Sequence, residues 1–147
     1  MYKDLNSLSM NRKYKKNMIY FISGHRNFSR KDFETYYVPK IKKAIEEDKN
    51  FEFVIGDYWG VDEMAQEWLS INLSKTEHHR VIIYHMFEKP RVLKSNKFRT
   101  RGGFKDDVDR DSAMTKASNI DIAYIHKGRW TSGTAQNILR RIEVDEE

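Results

Sequence analysis

Two aspartates stand inside one short stretch, Gly56-Asp57-Tyr58-Trp59-Gly60-Val61-Asp62. Asp57 could bind a hydroxyl or a metal. Asp62 could accept from ribose hydroxyls or cap the helix that begins there. The bracketing glycines let the backbone turn sharply and let a ligand approach the main chain. A second stretch, Ser132-Gly133-Thr134, puts two hydroxyls and small residues at a helix start. The first amides of a helix have no internal partner and, with the helix dipole, suit a phosphate. Arg26, in Gly24-His25-Arg26, can grip a phosphate through two parallel hydrogen bonds. His25 could hydrogen-bond a ligand, move a proton or be an ordinary loop residue. Tyr58, Trp59 and Trp130 could stack on a base or serve as packing. Asp121 and Arg110 could pair with each other or face a pocket. Each group also has a plain structural reading as a tight turn, a helix cap or a surface residue.

The elements that must position these groups follow from apolar spacing. Near-continuous apolar runs at Met18 to Ser23, 51–55, Arg80 to His85 and Ile120 to Ile125 read as strands buried on both faces. Between them Phe33, Tyr37, Ile41, Ala44 and Ile45 mark one helix face, begun by Ser29 and Asp32 and interrupted at Pro39. Val61, Met64, Ala65, Trp68, Leu69 and Leu73 mark a second. Residues 106–118 read as a third, with Asp106, Asp107 and Asp109 suiting its positive end. Ile138, Leu139 and Ile142 belong to a last helix, and Val144 to a short strand or a frayed end. The stretch 86–105 is too long for an ordinary connection and reads as a lid or binding loop.

Alternating strands and helices predict an α/β fold. It is a Rossmann-like three-layer α/β/α sandwich on a mainly parallel sheet of about four to five strands. In such sheets ligands bind beyond the carboxyl ends of the strands. That rule gathers Gly24 to Arg26, Gly56 to Asp62, the 86–105 loop with the helix after it, and Thr131 to Thr134 into one place.

Composition sets limits. The 147 residues make one domain of ordinary size (18–147), preceded by a basic tail (1–17). At 39% hydrophobic and 13% aromatic the chain is globular and not disordered. The absence of cysteine excludes disulfide frameworks and thiolate metal sites. No apolar run approaches the roughly 20 residues of a membrane span, and no signal-peptide core is present, so a cytoplasmic protein away from membranes is expected. The net charge of +5 lies mostly in the tail, with five basic residues against Asp4. A second basic run, Lys89, Arg91, Lys94, Lys97, Arg99, Arg101 and Lys105, has no acid within it. Such runs meet nucleic acid or are simply solvated. No Gly-x-Gly-x-x-Gly follows the first strand, and neither a Walker-type loop nor a Gly-x-Ser-x-Gly elbow occurs. His78-His79 has no spaced carboxylate, so no metal is expected.

Taken together, Ser23-Gly24-His25-Arg26, Gly56-Asp57-x-x-Gly60-Val61-Asp62 with Ala65 and Trp68, Arg110-x-x-x-Met114, Asp121-Ile122-Ala123 and Ser132-Gly133-Thr134 resemble the SLOG superfamily. That group includes the LOG phosphoribohydrolases and the Rossmann-like domain of DNA-processing protein A. The resemblance covers about 18–142. It implies a nucleotide or nucleotide-derived ligand (ADP-ribose-like or cyclic), no further cofactor, and a homo-oligomer. By the resemblance Gly24, His25 and Arg26 lie at the phosphate or ribose. Gly56, Asp57, Trp59, Gly60, Val61 and Asp62 form a second ligand loop, Arg110 and Met114 face the ligand, and Ser132, Gly133 and Thr134 hold a phosphate. LOG enzymes carry Pro-Gly-Gly-x-Gly-Thr followed by a glutamate that takes part in N-glycosidic cleavage. Here Gln136 or Asn137 takes that place, and an amide can neither act as a base nor stabilise an oxocarbenium ion by charge. The expectation is therefore a module that senses or sequesters a nucleotide-derived ligand. An N-glycoside hydrolase or (deoxy)ribosyltransferase using Asp57, Asp62 or Asp121 is the first alternative. A DNA binder using the basic tail and loop is the second.

Overall fold

A computed structural model describes residues 18–128 and 132–146. The basic tail, Trp130 and Thr131 lie outside the described residues. The element order is β1 (Ile19–Ile22), α1 (Arg30–Tyr36), α2 (Val38–Glu47), β2 (Glu52–Gly56), α3 (Val61–Asn72), a 3-10 helix (Lys75–Arg80), β3 (Val81–Tyr84), β4 (Arg99–Arg101), α4 (Asp107–Lys116), β5 (Ile120–Ile122) and α5 (Gly133–Glu146). All five strands pair parallel in the order β4-β3-β2-β1-β5. The chain is an α/β protein with a Rossmann-like three-layer architecture.

Local sequence explains the breaks. Ser29 caps α1 by accepting from the Asp32 amide at 3.0 Å. Pro39 falls in the first turn of α2, where its missing N–H has no partner to lose. One expected helix thus becomes two. Alternation along the strands divides the core. Tyr20, Ile22, Phe53, Ile55, Val81 and Ile83 face α1, α2 and α3, and Phe33, Ile41, Ala65 and Leu69 of those helices, with Tyr37 at the α1–α2 junction, complete a continuous apolar layer. The opposite face presents Phe21, Val54 and Tyr84 to Met114 of α4.

Three expectations change. The stretch 86–105 is not a bare loop, because Arg99, Thr100 and Arg101 form the edge strand β4. The strand expected to run to Ile125 stops at Ile122. Val144 is helical, within α5.

The strand order fixes where a site can form. From β1 the chain steps one way through β2, β3 and β4, then returns to place β5 on the other side of β1. The order reverses between β1 and β5, and a crevice opens there beyond the carboxyl ends.

Candidate functional site

At that reversal lies a cavity of about 270 Å³. Its walls come from the β1 tip, the β2 tip with the start of α3, the inner face of α4, and the start of α5.

The β1 tip contributes Ser23 to Arg26. Gly24 itself is set by packing: a Cβ there would lie 2.5 Å from the Tyr37 hydroxyl oxygen. That hydroxyl donates to the Ser23 carbonyl at 2.8 Å and accepts from the Tyr124 amide at 3.0 Å, and burial pushes its pKa upward. It is a neutral peg joining the β1 and β5 tips. His25 is buried, and its Nε2 accepts from the His126 amide at 3.1 Å, which places the ring proton on Nδ1. The two imidazoles stack with centroids 5.1 Å apart. Arg26 is exposed and donates to the Tyr58 hydroxyl at 2.6 Å.

The β2 tip requires both of its glycines. A Cβ on Gly56 would lie 2.5 Å from Asp62 Oδ2 and 3.3 Å from the Arg110 guanidinium. Gly60 has φ +79°, and a Cβ there would strike the carbonyl oxygens of His25 and Arg26. The Val61 amide then donates to the His25 carbonyl at 3.2 Å, tying the two tips together. Trp59, about half exposed, stands at the mouth. Val61 is fully buried in the core and Gly60 turns the backbone, so neither lines the cavity.

The carboxylates divide into three environments. Asp57 lies behind the cavity wall with a side chain wholly removed from solvent. It accepts from the Arg91 amide at 2.8 Å, from Arg91 Nη2 at 2.8 Å and from Arg110 Nη1 at 2.9 Å. Burial opposes its ionisation, but the Arg91 hydrogen bonds and the charges of Arg91 and Arg110 outweigh burial and hold its carboxyl below the usual range. Asp57 fastens the 86–98 segment to the sheet and does not face the cavity. Asp121 is also elsewhere. It pairs with Arg141 at 3.2 Å, with both side chains at or below 5% exposed, and lies outside the cavity wall. Burial raises its pKa against the pull of Arg141. Its expected partner Arg110 is turned to other acids.

Asp62 does line the cavity. Burial pushes its pKa up to about 7, while the Arg110 charge and the Tyr58 amide, 3.2 Å away, pull it back. Beside it is Asp111, which sequence reasoning did not single out. Burial raises its pKa too, against the charge and hydrogen bonds of Arg110, whose Nη2 is 3.1 Å away. Arg110 is 8% exposed and shared: besides Asp57 and Asp111 it lies 3.4 Å from Asp107. Met114, one turn on, forms the apolar floor with Phe21.

The last wall is the start of α5. Ser132 caps it, with Oγ accepting from the Ala135 amide at 3.2 Å. The amides of Gly133 and Thr134 belong to the first turn and have no intrahelical acceptor. Thr134 is buried and lines the cavity, as does Asn137 one turn further. Gln136 is exposed on the other side of the helix. Of the two amides Gln136 and Asn137, the one that meets the cavity is therefore Asn137.

Searches against family models, curated proteins and solved structures found no match. The site's chemistry has to be argued from its own residues.

Twelve of the sequence-derived candidates, Tyr58 included, meet in the cavity wall, from Gly24, His25 and Arg26 to Ser132, Gly133 and Thr134, while Asp57, Gly60, Val61 and Asp121 do not. The basic run contributes little free charge nearby. Arg91 is matched to Asp57, Lys94 lies 3.1 Å from Glu63, and Arg99 lies 3.5 Å from Glu52. Gln66 anchors the same segment, donating to the Val92 carbonyl at 3.1 Å and accepting from the Lys94 amide at 3.0 Å. Among the described residues no group of three or more His, Asp or Glu is arranged to hold a metal ion, and no helix is long and apolar enough to cross a membrane.

Proposed function

We propose that this protein binds a nucleotide-derived ligand in the cavity at the β1–β5 reversal, as a sensing or sequestering module. The supporting observation is the convergence of an exposed arginine (Arg26), the first turn of α5, a buried and a half-buried carboxyl group (Asp62 and Asp111) and an aromatic mouth (Tyr58, Trp59) on one small cavity. Cation and amides suit phosphate, carboxylates suit ribose hydroxyls, and exposed rings suit a base. The SLOG resemblance points the same way. Its LOG members carry a glutamate where Gln136 or Asn137 stands here, so binding without cleavage is the leading reading. Calorimetry against a nucleotide panel, with mass spectrometry of co-purifying small molecules, tests it. A bound nucleotide recovered intact supports it, and no binding across the panel removes it. The resemblance also carries an oligomeric chain, which light scattering checks.

A second reading has one observation in its favour. Asp62 and Asp111 both line the cavity, and burial drives both towards the protonated form. A neutral carboxyl can protonate a leaving base and an ionised one can steady a cationic sugar. In this reading the protein is an N-glycoside hydrolase or (deoxy)ribosyltransferase. Free base released from a nucleotide, and lost in Asp111→Asn, would establish it. A bound nucleotide that stays intact over a long incubation would retire it. The nucleic-acid reading is the weakest of the three, because among the described residues acids already meet Arg91, Lys94 and Arg99 of the basic run.

A further inference from the structure

We propose that the groove on the sheet face over β2, β3 and β4 docks an amphipathic helix of a partner protein, one whose apolar stripe is flanked by carboxylates. This surface is separate from the cavity and does not depend on the ligand proposed for it.

The first argument is an incomplete layer. A parallel sheet is ordinarily covered on both faces. Among the described residues three helices, α1, α2 and α3, lie against one face, and two, α4 and α5, against the other. The second pair leaves the β3–β4 side open. There a groove of about 320 Å³ runs between the end of α4, at Ala117, and the edge strand β4. Its floor is Ile19, Val54, Ile82 and Tyr84, which continue the apolar cluster around Phe21 and Met114. Ile19 and Ile82 are only half-buried, although both belong to the sheet. Neighbouring strands lie about 4.8 Å apart, so β2 to β4 spans about 10 Å, the width of one more helix.

The second argument is charge. Register puts Arg99 beside Ile82 and Arg101 beside Tyr84, so both arginines rim the groove. Arg99 meets Glu52 at 3.5 Å. Arg101 meets no acid among the described residues. Its guanidinium lies 5.5 Å from the Tyr84 ring centre and 5.9 Å from that of Phe104, and these rings hold it at the rim. Lys97 and Lys105, on either side of β4, are exposed and also have no acid partner among the described residues. An apolar floor below unmatched cations complements an apolar stripe flanked by acids.

The third argument weighs the other occupants. Residues 1–17 hold five basic residues against Asp4, so like charge disfavours them. Single-stranded nucleic acid needs open rings on which its bases stack. Tyr84 is 3% exposed, stacked on Phe104 at 5.5 Å and covered by Arg101, so the floor offers no open ring.

The experiment titrates the full chain, by fluorescence anisotropy, with a blocked synthetic helix carrying leucine along one face and glutamate elsewhere. The control helix has lysine in place of glutamate. The glutamate helix binds about tenfold or more tightly than the control, and its affinity falls as salt is raised. Arg101→Glu weakens it about tenfold or more, with thermal unfolding unchanged. In amide NMR spectra the glutamate helix shifts the signals of Ile82, Tyr84 and Thr100 and leaves those of Arg26 and Asp111, at the cavity, in place. No binding of the glutamate helix, equal binding of the two helices, or shifts confined to other residues overturns the proposal. A single-stranded oligonucleotide that displaces the glutamate helix and moves the same signals overturns it in favour of nucleic acid. A dimer in light scattering that Arg101→Glu dissociates overturns it in favour of a second copy of this chain.

Discussion

The two faces of the sheet are built on different principles. Against one face α1, α2 and α3 lay an unbroken apolar layer, with Tyr37, Ile41, Phe53, Ile55, Ala65 and Leu69 almost fully buried. Against the other, α4 and α5 bring a smaller apolar cluster around Phe21 and Met114, and beside it buried ions: Asp57 with Arg91 and Arg110, and Asp121 with Arg141. Apolar burial is non-directional and stabilising. Buried ion pairs give little net stability, because desolvation offsets their attraction. The difference teaches that the first face supplies stability and the second holds charge at defined positions, with Arg110 the one of these ions that also lines the cavity.

The comparison can be broken by substitution. Phe53→Ala, on the apolar face, is expected to cost about 4 kcal/mol, the usual range for a buried Phe→Ala. Urea unfolding measures it, and a loss below 1 kcal/mol would remove the claim that this face carries stability. Arg141→Ala, on the ionic face, should cost about 3 kcal/mol by leaving Asp121 buried and unpaired. The double variant Arg141→Met/Asp121→Leu should recover most of that loss. If the double variant is as unstable as the single, the pair contributes more than position.

A pH series sharpens the contrast. Asp62 holds its proton in the fold to about pH 7, whereas an unfolded aspartate releases it near 4. The fold therefore binds more protons than the unfolded chain between those values, and stability falls as pH rises through that window. Asp57, held below the usual range, acts in the opposite direction and only at lower pH, where its stabilising contribution is lost on acidification. Asp62→Asn should gain stability over the parent chain progressively from pH 4 to pH 7. Parallel urea curves at all pH values would contradict the burial assigned to Asp62. The smallest effect belongs to neither face: Glu67→Ala, which removes the exposed contact with Arg30, should change stability by less than about 0.5 kcal/mol.

Most of the first face was legible in the sequence, because continuous apolar strands and helical spacing signal burial directly. The second face was harder to read. Arg99-Thr100-Arg101 carries no apolar signal, since an edge strand with three exposed residues needs none. Asp111 was hidden in an acidic helix start, where any carboxylate is accounted for by the helix dipole. Asp57 looked like a cavity residue because its neighbours are, but the sequence cannot show that Arg91, 34 positions on, folds back onto it. The choice between Gln136 and Asn137 was open in principle to helical phase. Asn137 shares a face with Thr134 and Arg141, three and four residues away, and Gln136 does not.

The exposed edge of β4 has one more consequence. Among the described residues nothing pairs with the outer edge of β4, and an unpaired edge strand offers its amides and carbonyls to any passing chain, which is how sheets extend into aggregates. Here Arg99 and Arg101 flank the only neutral residue of that strand, and both are exposed. Two like charges on so short an edge repel an identical copy laid alongside. The two arginines thus disfavour edge-to-edge pairing, and replacing both with valine should leave the cavity intact while making the protein prone to self-association, which light scattering would measure.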